Sequence, residues 1–144
     1  MATLEELEGD IWAAPENTTR LIETCHRLRK EEIEEFSIEN FRILLGQGIG
    51  IDHLAPLALI ILEREPLVSG DFYPGDLLSA LVRDQNWAKL EPWAPRIVVI
   101  CREVLAALAL DPDDIEINGK LYPSPARELA AHLRAYINRR PSSH

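Results

Sequence analysis

The sequence predicts an all-α, single-domain bundle of six or seven short helices around a central apolar helix, with at most one small β-hairpin near residues 115–122. Three observations lead there. Apolar residues recur at intervals of three and four through most of the 144 residues, the spacing of one helix face. β-branched runs of the kind that build long parallel sheets are missing between those segments. Residues 54–62 are apolar at every position except Pro56, and a helix that is greasy on all sides has no face left for water. It is expected in the middle, covered by the others; it is also far short of the roughly 20 residues that cross a bilayer. One core suffices, since a domain of this size buries about 68–70% of its unfolded surface. Residues 1–144 therefore read as one domain, with 141–144 a frayed tail.

The elements follow from caps and periodicity. Thr3 caps a short helix through Leu4, Leu7 and Glu8, ended by Gly9, and Trp12 anchors the following loop to the core. Asn17 or Thr18 opens a second helix with Leu21, Ile22, Cys25 and Leu28 on its inner face. Ser37 caps a third, with Ile38, Phe41, Leu44 and Leu45 inward, and Gly46, Gly48 and Gly50 end it. The central helix has Asp52 as its N-cap and stops before Pro66, because a residue preceding proline is pushed out of helical backbone angles. Pro74 suits the first position of a fifth helix, Asp76 favours the positive end of its dipole, and Leu77, Leu78, Leu81 and Val82 face in. Asp84-Gln85-Asn86 breaks it. After a turn holding Trp87, Leu90, Pro92 and Trp93, Pro95 starts the longest helix, striped by Ile97, Cys101, Val104, Leu105 and Leu108. Residues 115–122 alternate around Asn118-Gly119, a hairpin signal, although an irregular loop fits as well because a lone ribbon is marginal. Ser124 and Pro125 then open a last helix with Leu129, Ala130, Leu133, Tyr136 and Ile137 inward.

The net charge of −9 argues against nucleic acid and against an anionic membrane surface, both of which would repel the chain. The charge is uneven: residues 1–65 hold 14 acidic and 6 basic side chains, and residues 66–144 hold 10 and 9. Its densest run, Glu31-Glu32-Ile33-Glu34-Glu35, reads either as a solvated surface or as a docking surface for a basic partner. Cys25 and Cys101 are expected as buried thiols, and the lack of a signal-type segment points to the cytoplasm.

Little in the sequence speaks of reaction chemistry. Gly46-Gln47-Gly48-Ile49-Gly50 follows a helix rather than a strand and lacks the Lys-Ser/Thr of a phosphate loop, so it reads as a corner between helices. His26, His53, His132 and His144 share no ligand spacing, neither cysteine belongs to a Cys-x-x-Cys pair, and Ser69 and Ser79 lie in no nucleophile elbow. No catalytic residue, metal or cofactor is expected. Gly70-Asp71-Phe72-Tyr73-Pro74-Gly75-Asp76 is the most unusual segment. Phe72 and Pro74 read as structural, whereas Asp71, Tyr73 and Asp76 divide evenly between fixing the helix approach and meeting basic groups of a partner.

Four stretches together resemble the immunity proteins of bacterial contact-dependent growth inhibition systems. They are Leu4-Glu5-Glu6-Leu7-Glu8-Gly9-Asp10 with Trp12; Cys25-His26-Arg27-Leu28-Arg29; Gly46-Gln47-Gly48-Ile49-Gly50 leading into Leu54-Ala55-Pro56-Leu57-Ala58; and Gly70 to Leu78. The resemblance covers roughly residues 4–82, with Ala13 where the pattern has glycine and Glu31–Glu35 in place of a less acidic, proline-containing link. It implies a small cytoplasmic protein that binds and neutralises the C-terminal toxin domain of a matching adhesin, with no enzymatic activity of its own. Many such toxins are nucleases with basic grooves, which an acidic inhibitor would find quickly and cover. The residues expected to meet the toxin are Glu31, Glu32, Glu34, Glu35, Asp71, Tyr73 and Asp76. A helical adaptor or regulatory module is the alternative.

Overall fold

A computed structural model describes residues 2–13, 18–108, 114–117, 119–123 and 125–139. It is an all-α bundle with one hairpin. The helices are α1 (Leu4–Glu8), α2 (Arg20–Lys30), α3 (Ile38–Gly46), α4 (Ile51–Arg64), α5 (Asp76–Leu81), the single turn α6 (Trp87–Leu90), α7 (Ala94–Leu108) and α8 (Pro125–Ile137). Strands β1 (Asp114–Ile117) and β2 (Lys120–Pro123) pair antiparallel between α7 and α8, Ile115 opposite Tyr122, and Gly119 takes the positive φ that a tight hairpin needs. Asn118, Ser124 and the tail 141–144 lie outside the described residues.

Polar side chains set the ends of the helices. Thr3 and Ser37 each form a capping box, the first with Glu6 and the second with Asn40. Thr19, rather than Thr18, caps α2, since its hydroxyl reaches Ile22 N–H at 3.2 Å, three residues on; Asn17 lies outside the described residues. The expected N-cap at Asp52 is also displaced. Ile51 is drawn into the core, so α4 begins there, capped by Gly50 at φ 68°, where a Cβ would meet Leu4 Cδ1 at 2.9 Å. Pro56 consequently lies in the second turn, and the helix runs through it. At α5, Pro74 stays in the preceding turn, Gly75 (φ 91°) is the cap and Asp76 is the first helical residue.

The core is built mainly from leucine. Leu44, Leu45, Leu54, Leu59, Leu62, Leu77, Leu78, Leu81 and Leu133 are fully buried, each contributing roughly 1.5–3 kcal/mol of hydrophobic stabilisation. α3 packs on α5, α7 on α8, and α4 lies against α3, α6 and α7. The central helix is not covered on every side, however. Leu54, Ala55, Ala58, Leu59 and Leu62 are buried, but Leu57 is 39% and Ile60 51% exposed, because a 14-residue helix with neighbours along one flank has an outer side whatever its residues. Leu21 and Ile22, expected inside, are likewise exposed in the first turn of α2, while Arg29 from the same helix is buried. Both cysteines are unpaired and buried, and burial pushes the Cys101 thiol up to about 12.

Two polar knots fasten the bundle. Asn86, buried, donates from Nδ2 to the carbonyls of Leu45, Ala80 and Leu81 at 2.9–3.2 Å, and Arg83 and Gln85 donate to Gly46 O at 3.0 and 2.8 Å. These bonds satisfy orphan carbonyls at the C-termini of α3 and α5, so the glycine-rich stretch is a helix-to-helix corner. At the other end, Arg29 is 1% exposed and donates from Nη2 to Glu8 at 2.7 Å and to Asp10 O at 2.8 Å. The Trp12 ring stacks on its guanidinium, 4.0 Å from centroid to Cζ, so Trp12 anchors its loop by covering a cation rather than by entering the apolar core.

Candidate functional site

The segment between α4 and α5 is held by two carboxylates reaching from opposite sides. Asp76, at the start of α5, turns back over its own approach and accepts from Gly70 N–H (2.6 Å), Phe72 N–H (3.0 Å) and Tyr73 N–H (3.4 Å). From α3, Glu39 accepts from Asp71 N–H at 2.9 Å. Arg42, one turn along α3, is the cation between them: its Nε donates to Glu39 at 2.6 Å and lies 4.0 Å from Asp76 Oδ2. The Arg42 hydrogen bond holds the Glu39 carboxyl below its ordinary range, and Glu39 in turn raises Arg42. Gly75 completes the anchorage. Its N–H donates to Leu67 O at 3.1 Å, and a Cβ there would meet Leu129 Cδ2 of α8 at 2.5 Å, so the loop lies flat against the last helix.

What this scaffold presents is Phe72. The ring is 70% exposed, and one of its faces covers the Arg42 guanidinium at 4.2 Å. Beside it opens a groove of about 360 Å³ lined by Leu21, Ile43, Phe72, Tyr73 and Arg83.

The residues expected to meet a partner thus occupy different positions. Asp71 is exposed and Tyr73 half-buried at the groove, but Asp76 is 3% exposed with both carboxylate oxygens already engaged by the loop. Phe72, read as a buried structural residue, is the one that projects. The acidic run is split in two by Ile33, which is buried, and residues 33–35 form a 3₁₀ turn. Glu31 pairs with Arg27 at 2.8 Å, Glu34 accepts from Ala2 N–H at 3.0 Å, Glu35 is exposed and Glu32 half-buried. The structure does not bring this run together with the loop into one cluster by any hydrogen bond or ion pair among the described residues. Sequence reasoning missed Glu39 and Arg42; their i,i+3 spacing on α3 was the available signal for an ion pair.

Ser79 Oγ and His132 Nδ1 share a 2.8 Å hydrogen bond that ties α5 to α8, with the hydroxyl buried in that interface. Among the described residues no group of three or more His, Cys, Asp or Glu is placed to hold a metal ion, and no helix is long and apolar enough to cross a membrane.

Neither a curated protein nor a solved structure matches the chain. The family model of CDI immunity proteins matches residues 6–93. That span runs from within α1 to Trp93, just past α6, and it contains Glu39, Arg42 and the whole of the 70–76 loop. Because the match covers more than half of the 144 residues, the chain belongs to the family of CDI immunity proteins.

Proposed function

We propose that the chain is the immunity partner of a contact-dependent growth inhibition adhesin: in the cytoplasm it binds the C-terminal toxin domain of the matching adhesin and holds it inactive. The family match over residues 6–93 carries this reading. Charge supports it and suggests the target. With 14 acidic against 6 basic residues in its first 65, the N-terminal half suits a toxin with a basic substrate groove, as a nuclease has. Binding alone suffices for inhibition, and no catalytic residue or cofactor is invoked. Specificity among toxins then comes from where charges stand and from clashes with the wrong partner. The contacts are proposed on Glu31, Glu32, Glu34 and Glu35 and on the loop bearing Asp71 and Tyr73, with Asp76 shaping that loop from beneath.

The test is co-expression with the C-terminal domain of the adhesin encoded next to this chain, scoring growth and co-purification together. Growth rescue with a stable complex is expected. Rescue without a complex would contradict inhibition by binding, and a stable complex with an unrelated cellular protein in cells lacking the adhesin would favour an adaptor instead.

A further inference from the structure

An exposed aromatic ring normally moves with its loop, but Phe72 does not have that freedom. Four successive backbone donors around it, from Gly70, Asp71, Phe72 and Tyr73, are tied to the carboxylates of Asp76 and Glu39, and Arg42 is fixed beneath the ring by Glu39. With one face on Arg42 and 70% of its surface exposed, the ring offers its other face to solvent. The surroundings are negative on balance: Glu39, Asp71 and Asp76 supply three carboxylates against the two guanidiniums of Arg42 and Arg83, of which Arg42 is paired with Glu39 and Arg83 donates to Gly46 O, and Asp71, next to Phe72 in the chain, is exposed. An aromatic face carries negative charge density, and a carboxylate beside it deepens the attraction for a cation.

We propose that the open face of Phe72, together with Asp71, is the anchor that receives an arginine or lysine side chain of the cognate toxin domain. This rests on the toxin-binding reading and assigns the place of first importance within it. Because the loop is already ordered, little conformational freedom is lost on docking, which is the condition under which a single aromatic contact contributes strongly. Val99 of α7, also exposed, borders a groove with Glu63, Arg96 and Glu103, where Glu63 is already paired with Arg96 at 2.7 Å and no aromatic ring is present to receive a cation. Val99 and the arginines of α7 also lie outside the family-matched span.

The experiment titrates the separately purified cognate toxin domain into the intact protein at low and high salt, with thermal melting of each variant alongside. Phe72→Ala should weaken binding by at least about 30-fold, Phe72→Leu nearly as much although it keeps apolar area, and Phe72→Trp should bind at least as well as the parent. Asp71→Asn should weaken binding about 3-fold and flatten its salt dependence. Ile60→Ala should change nothing. Parent-like affinity in Phe72→Ala, or in Phe72→Leu, would overturn the cation anchor while leaving toxin binding intact; greater loss from Ile60→Ala than from Phe72→Ala would move the interface to α4 and α7. Absence of any complex with the parent protein would overturn the functional reading and this anchor with it.

Discussion

Helix α4 and the loop from Gly70 to Gly75 invert what their residues suggest. The helix is the most apolar stretch of the chain, yet Leu57 and Ile60 face solvent. The loop is polar, aromatic and glycine-bearing, yet its amides are pinned from a buried carboxylate below and from α3 at the side. Apolar composition states how much surface a segment can bury; the arrangement of its neighbours decides how much it does. Rigidity at the surface, conversely, is supplied here by a few charged groups with saturated hydrogen bonds, since an unpaired buried carboxylate would be unfavourable by several kcal/mol.

The strongest way to break that contrast is to truncate leucines on the two sides of one helix. Leu59→Ala should destabilise the fold by about 2–5 kcal/mol, because it opens a cavity in the core, whereas Leu57→Ala should stay within about 1 kcal/mol. Equal losses in urea unfolding would mean that the outer side of α4 is covered in solution. Next in size is Asp76→Ala, which orphans the amides of Gly70 and Phe72 and should cost about 1–3 kcal/mol while speeding hydrogen exchange at those amides. Unchanged exchange would show that the loop is ordered by something other than this carboxylate.

Acid sharpens the comparison further. Glu39 is held below its ordinary value in the folded protein, so its contribution to stability is fully present above the unfolded carboxyl range and is lost as pH falls through the depressed folded value. Below about pH 4 exchange at Asp71 N–H should rise before that of amides inside α4, which depend on no titrating group; simultaneous opening would contradict a locally held loop. The smallest effect concerns the thiols. With Cys101 pushed up to about 12 by burial, its thiol should stay unreactive toward a disulfide reagent at pH 8 in the native protein and react on unfolding. Stability should also decline above the unfolded thiol value, where the thiol of the unfolded chain ionises and the buried one stays protonated.

Much of the bundle was legible because period and caps are local. The stripes of Phe41, Leu44 and Leu45, of Ile97, Cys101 and Val104, and of Leu129, Leu133 and Tyr136 bury as spaced, and the Asn118-Gly119 signal marks a hairpin at 114–123. The side of α4 that faces out was only partly legible: residues 54–62 offer no charged position to mark it, so the packing of α3, α6 and α7 decides there, and the exposed Glu63 and Arg64, three and four residues beyond Ile60, were the available signal. In the loop, the segment was identified but the roles within it were exchanged: Phe72 projects and Asp76 is buried, since both depend on Glu39 and Arg42, more than 25 residues earlier in the chain. The acidic run similarly reads as one block in sequence, although a buried Ile33 at its centre divides the two pairs of glutamates.

Inhibition by occupancy is tested most directly by a stoichiometric titration of toxin activity. With the toxin domain held well above the dissociation constant, residual activity should fall linearly and reach zero at one equivalent of the protein, and full activity should return when the complex is denatured and the toxin refolded alone. Inactivation of many equivalents of toxin by one of the protein, or permanent loss of activity after separation, would show a chemical reaction and contradict inhibition by occupancy.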